Sequence, residues 1–263
     1  AMKTFSKTIL FCCLLALLFL SVVFSSCEES KFEVSDVILS NAYDFPVKPG
    51  TGEWRALGSH YAMLSACQVP QEILDEMSTA GLVETVLGYP MLLDMMAYNT
   101  PQQGYDAVSG RFNGFTELFT REDAGAVLLE RYLTMDPAAY DPDWESTIIV
   151  SYAWDVKNVE TILCQEIFLS GLSAERCRNL IADALEKYQI KEKHGDVYGY
   201  YGLESTAWLI GRTLYHENCR SFVDMVEKDN TLQNFLNSGS FAMDDTIDII
   251  LTQTEAYLAD FTG

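Results

Sequence analysis

Between Ser173 and Tyr188 the apolar side chains return every three or four residues. Ala174, Cys177, Leu180, Ile181, Ala184, Leu185 and Tyr188 share one face, a pattern that only a 3.6-residue period explains. The same spacing runs from Asp244 through Ile247, Ile250, Leu251, Thr254, Tyr257, Leu258 and Phe261. The punctuation agrees: Val69-Pro70 and Thr100-Pro101 put proline where a helix begins, and Thr120-Arg-Glu-Asp123 reads as a capping-box start for a helix through Leu133. No strict alternation bounded by hairpin turns appears. Only STIIVSYA, Ser146–Ala153, is rich in β-branched residues, and it reads as a strand or a helix start. The expected fold is all-α. Short helices over 53–135, broken near 68, 78, 89, 100, 113 and 120, should form consecutive αα-hairpins packed as a multi-helix bundle or a short right-handed superhelical stack. The helical domain is expected over 53–263, with a seam at 135–146 in the loop MDPAAYDPDWE.

The beginning of the chain reads differently. Lys3 and Lys7 precede an uncharged apolar run from Ile9 to Phe24, which ends in Ser25, Ser26 and Cys27; this is the layout of a secretory signal peptide. Phe24-Ser25-Ser26-Cys27 resembles the lipobox of bacterial lipoproteins, with Phe24 in place of the usual leucine. The resemblance implies removal of residues 1–26 and lipidation of Cys27 with palmitate-type chains, and two or three chains suffice for stable anchoring. Glu28 and Glu29 resemble the acidic signal that carries some Bacteroidetes-type lipoproteins to the outer surface. The alternatives are a cleaved signal without lipid and an uncleaved membrane helix. Thr8–Ser26 is just long enough to span, yet it is followed by acidic rather than basic residues. Residues 27–52, with Pro46, Pro49, Gly50 and Gly52, are expected to be the lipidated N-terminus and a tether.

Charge narrows the partners. The chain has 17 Lys+Arg against 38 Asp+Glu, a net of −21; without Lys3 and Lys7 it is −23. Such a surface excludes nucleic acid, whose phosphates require clustered cations, and docking on anionic lipid through a basic patch. The expected membrane partner is therefore reached through lipid on Cys27. The stretch 71–132, QEILDEMSTAGLVETVLGYPMLLDMMAYN through FNGFTELFTREDAGAVLLERY, resembles a group of uncharacterised exported helical bacterial proteins. That resemblance implies an extracytoplasmic helical domain and no functional residue.

No standard catalytic signature is present in the mature part: no His-Glu-x-x-His, Gly-x-Ser-x-Gly, P-loop or dinucleotide fingerprint. No catalytic residue, metal site or cofactor is therefore assigned. His60, His194 and His216 each lack a second histidine at ligand spacing. Asp136, Asp141, Asp143 and Glu145 crowd the seam loop, where calcium competes with plain capping and solvation as the explanation. Cys67, Cys164, Cys177 and Cys219 remain after Cys27. Helices over 155–169 and 173–189 joined by Ser170-Gly171-Leu172 would make Cys164 and Cys177 symmetric about the turn, so a disulfide between them competes with two free buried thiols.

The segment GDVYGYYGLESTAW, Gly195–Trp208, offers Tyr198, Tyr200, Tyr201 and Trp208 as a ligand surface for a carbohydrate or a protein, against ordinary helix packing. Asp196 or Glu204 could serve there as acid or base. The leading expectation is a lipid-anchored envelope protein, at the outer membrane or cell surface, with a helical binding or protein-interaction domain. The alternatives are an exported hydrolase of glycans or peptides whose carboxylates converge in three dimensions, and a purely structural envelope component.

Overall fold

The computed structural model describes residues 41–240 and 244–261. Cys27, the export segment before it and the first part of the expected tether lie outside the described residues. The chain is helical, with no strand among the described residues. In order the helices are α1 (Gly52–Ala56), α2 (His60–Ala66), α3 (Gln71–Glu76), α4 (Thr79–Leu87), a 3-10 helix (Leu92–Ala97), α5 (Pro101–Ser109), α6 (Asn113–Leu118) and α7 (Ala124–Leu133). There follow α8 (Ser146–Leu163), α9 (Glu166–Leu169), α10 (Ala174–Lys193), α11 (Gly195–His216), α12 (Arg220–Val226), α13 (Asn230–Ser238) and α14 (Asp244–Ala259). None of the described helices is long and apolar enough to cross a membrane.

Local chemistry sets most boundaries. Ser59, Ser78, Thr100, Ser173 and Asp229 each accept a first-turn backbone N–H through the side chain, satisfying one of the donors a helix start leaves unpaired. Thr120 departs from expectation: its hydroxyl donates back to the Glu117 carbonyl at 2.7 Å, and α7 begins only at Ala124. Asp123 is then free to accept from Thr79 Oγ1 at 2.7 Å, tying the start of α7 to the start of α4. STIIVSYA is the beginning of α8. Its β-branched residues cost little helix propensity, and helical packing overrides it.

Packing gives a multi-helix bundle. α4 packs on α6 and α7, α5 on the 3-10 helix, and α8 on both α7 and α11; α10 and α11 form a hairpin that α14 covers. One continuous core runs from Phe45 to Ile250. The loop at 135–146 is therefore no seam between two cores, since α8 packs on the helices to either side of it. The loop is itself pinned: Tyr198 Oη donates to the Pro137 carbonyl at 2.7 Å, Tyr140 Oη pairs with His194 Nδ1 at 2.9 Å, and the Tyr152 hydroxyl donates to the Asp136 carbonyl. Asp136 and Asp141 close local turns by accepting from the backbone N–H of Ala138 and Asp143.

One further expectation is corrected, and one pair of open readings is decided. The tether cannot extend to residue 52, because Phe45 is buried against Tyr89 and Phe112, and the Tyr43 N–H donates to Thr85 Oγ1 at 2.8 Å. The cause is an aromatic pair, Tyr43 and Phe45, within an otherwise polar segment. Cys164 and Cys177 are both free thiols, not a disulfide. Helix α8 stops at Leu163 and Cys164 caps it, so the inserted α9 displaces the turn about which the two cysteines would have been symmetric.

Candidate functional site

Helices α8 and α11 present matching stripes to a common space. Trp154, Lys157, Asn158 and Thr161 come from α8, and Tyr201, Glu204, Ser205 and Trp208 from α11, each set at i, i+3, i+4, i+7. That spacing keeps all four members of a stripe on one helix face. Leu92, Met95 and Met96 of the 3-10 helix and the link Tyr98–Pro101 close a third side, while Gly239 and Ser240 close one end. The cleft so enclosed has a volume of about 360 Å³, within the range of small-molecule sites.

Two glycines shape it. Gly199 sits at φ 54°, ψ −167°, a region essentially reserved for glycine, and breaks α11 after its first turn. The break lets Tyr198 turn inward while Tyr201 stands at the cleft rim. A Cβ on Gly104 would come within 2.1 Å of the Met95 carbonyl oxygen, so only glycine allows α5 to lie this close to the 3-10 wall.

The polar chemistry centres on Lys157. Its ammonium lies 4.4 Å from the Trp154 ring centroid and 5.6 Å from that of Tyr201, an aromatic bracket around a cation. Burial pulls this ammonium below the usual lysine range, while the carboxylates of Glu204 and Glu160 oppose the shift. Behind the α11 wall, Glu160 accepts from Ser205 Oγ at 2.6 Å, Thr206 Oγ1 at 2.8 Å, Tyr132 Oη at 3.0 Å and Lys191 Nζ at 2.8 Å. Ser205 is thus a cleft hydroxyl whose proton is already committed to a buried carboxylate.

The arrangement can bind a small ligand having a flat apolar face and several polar groups. The aromatic rings offer stacking, Lys157 and Glu204 offer charge, and Asn99, Asn158 and Thr161 offer hydrogen bonds. It is poorly suited to two-carboxylate glycoside hydrolysis. Among the described residues Glu204 is the one carboxylate in the lining, and Glu160 is fully buried and ion-paired.

The four aromatic residues expected as a ligand surface divide. Tyr201, 71% exposed, lines the cleft, and Trp208 lies at its floor, buried, with its indole N–H donated to the Leu236 carbonyl at 2.8 Å. Tyr198 packs inward and Tyr200 is exposed outside the lining, so these two do not belong to the site. The β-branched run at the start of α8 masks its stripe in the sequence; the signal lies in Trp154, Lys157, Asn158 and Thr161 at helical spacing. Each histidine has a partner: His60 bonds Asp94 at 2.7 Å, His194 bonds Tyr140, and His216 bonds Glu166 at 2.9 Å. Cys177, His216 and Glu217 form a grouping able to hold a metal ion, and none of them lines the cleft. Comparison with protein-family models, curated proteins and solved structures returns no match to this chain.

Proposed function

We propose that the protein is a binding protein of the bacterial envelope, lipid-anchored at Cys27, whose helical domain takes a saccharide unit in the α8–α11 cleft. The observation that carries the reading is the aromatic bracket of Trp154 and Tyr201 around Lys157, with amide and hydroxyl groups beside it. Sugar rings combine apolar C–H faces with a polar rim, and a site of flat aromatic side chains edged by hydrogen-bonding groups complements both. The lipobox-like sequence before Cys27 supports the anchor, and the acidity of the chain favours a neutral ligand over nucleic acid.

The two halves of the proposal are tested separately. Calorimetric titration with a panel of neutral and acidic oligosaccharides is expected to find binding that Trp154→Ala and Tyr201→Ala each weaken about tenfold, a loss of about 1.4 kcal/mol. Failure of every sugar to bind, or equal binding by the variants, overturns the cleft reading. Labelled palmitate should be incorporated by the wild-type chain and not by Cys27→Ala; equal labelling overturns the anchor.

A further inference from the structure

At the end of α11 farthest from the Gly199 break, three side chains of metal-binding type meet. Cys177 lies in the first turn of α10, His216 is the last residue of α11 and Glu217 is its C-cap; their sulfur, nitrogen and oxygen ligand atoms all lie within 4.8 Å of one another. We propose that Cys177, His216 and Glu217 form a binding site for a borderline-soft divalent cation, zinc above all, independent of the saccharide cleft.

Donor type argues for zinc. A thiolate, an imidazole and a carboxylate are a mixed set that calcium and magnesium do not select, whereas zinc takes all three. Zinc–ligand distances of about 2.0–2.3 Å place neighbouring ligand atoms roughly 3–4 Å apart, so the three side chains need draw in by only about an ångström. Three protein ligands leave a fourth position for water.

The surroundings supply what such a site needs. His216 Nδ1 lies 2.9 Å from Glu166 Oε1, and a cation bound through Nε2 would leave that contact with the carboxylate in place. A carboxylate behind a ligating histidine fixes its tautomer and raises its basicity. Glu217 is held in turn by Tyr257, whose Oη donates to Oε2 at 3.3 Å. The C-terminal end of a long helix carries the negative pole of its dipole, which favours a cation there. Cys177 is fully buried while His216 and Glu217 are only half-buried, so an ion reaches the thiol from the solvent side past the other two. Loading breaks the Cys177 S–H bond and forms a sulfur–metal bond, releasing one proton to water, with no change of oxidation state.

Cobalt(II) is the probe. Titrated alone into the full chain, it should bind with one equivalent and give a thiolate-to-cobalt charge-transfer band that zinc(II) then bleaches. Cys177→Ser should abolish the band, and Cys219→Ala, which removes the most accessible thiol among the described residues, should keep it. Glu166→Gln, which removes the carboxylate behind the histidine, should weaken cobalt binding about 10–100-fold while leaving the band in place. Circular dichroism confirms that each variant is folded. Absence of the band in the wild-type chain overturns the site, leaving Cys177 a free buried thiol beside Glu217. A band that survives Cys177→Ser, or one that disappears with Cys219→Ala, overturns it equally.

Discussion

Lys191 holds its ammonium 2.8 Å from both carboxylate oxygens of Glu160, and neither side chain has any exposure. The same ammonium donates to Thr206 Oγ1 at 2.9 Å and the Gly202 carbonyl at 3.2 Å, so the pair joins α8, α10 and α11 behind the cleft. Desolvation of both charges offsets much of their attraction, and the net worth of such a pair is small, yet an orphaned charge is costly. Glu160→Leu and Lys191→Met should each cost about 3–5 kcal/mol. Glu160→Leu combined with Lys191→Met should cost clearly less than the two single changes together. Ser205 and Thr206 still reach the Gly202 carbonyl in that variant, while the Tyr132 hydroxyl loses its acceptor, a residual cost of about 1–3 kcal/mol. Urea unfolding of the four proteins measures the coupling; strictly additive losses would show that the pair does not act as a unit.

Gly199→Ala tests the break in α11. Alanine at φ 54°, ψ −167° is strained, although nothing beyond its own stretch of helix lies within 4 Å of the added carbon. The expected loss is about 1–3 kcal/mol. Because the strain is in the backbone and not in a clash, Gly199→Ser should cost about the same. A thermal-unfolding midpoint unchanged by either substitution would refute this account.

Alkaline pH should destabilise the fold from about pH 9 upward. Burial pushes the Cys164 thiol from 9.0 up to about 12, so in that interval the folded chain keeps a proton that the unfolded chain has released. Stability is therefore fully present below pH 9 and falls above it, by up to about 1.4 kcal/mol per pH unit for this group. Tyr89, Tyr105, Tyr132 and Tyr198, all raised by burial, act in the same direction above pH 10. Burial lowers the Lys157 and Lys191 ammonium groups, which act in the opposite sense and are outweighed by the raised thiol and phenols. Urea midpoints at about pH 7, 9 and 10.5 should decline, and Cys164→Ala should flatten the first part of the decline. A decline as steep in Cys164→Ala as in wild type would exclude the thiol as its source.

The helices were legible in the sequence because their signals are local. Thr100-Pro101, Ser173 and the apolar face through Cys177, Leu180, Ile181 and Ala184 are read within a few residues, and all stand in the structure. The site was half legible. Tyr201 and Glu204 fall in a segment whose glycines and tyrosines attract notice, whereas Lys157 stands out only once α8 lies against α11, some 45 residues later in the chain. Of the two readings open for Cys164 and Cys177, the free buried thiols stand, for a related reason. Symmetry about a turn is a sound rule for one hairpin, but the four residues of α9 sit inside this one and belong to neither arm.

Tyr201 and Trp208 separate the rim of the cleft from its floor. Both line the same space, but Tyr201 is 71% exposed and Trp208 is fully buried, its indole N–H bonded to the Leu236 carbonyl and its ring against Gly239. Removing an exposed rim side chain should change stability by about 0.5 kcal/mol at most. Removing the floor leaves a cavity and an unpaired carbonyl, at about 3–5 kcal/mol. Tyr201→Ala should therefore unfold at the wild-type temperature yet lose oligosaccharide affinity, whereas Trp208→Ala should melt well below it. Thermal unfolding paired with the calorimetric titration distinguishes the two roles. If Tyr201→Ala proves as destabilising as Trp208→Ala, the Tyr201 ring serves packing and the cleft loses its stacking face.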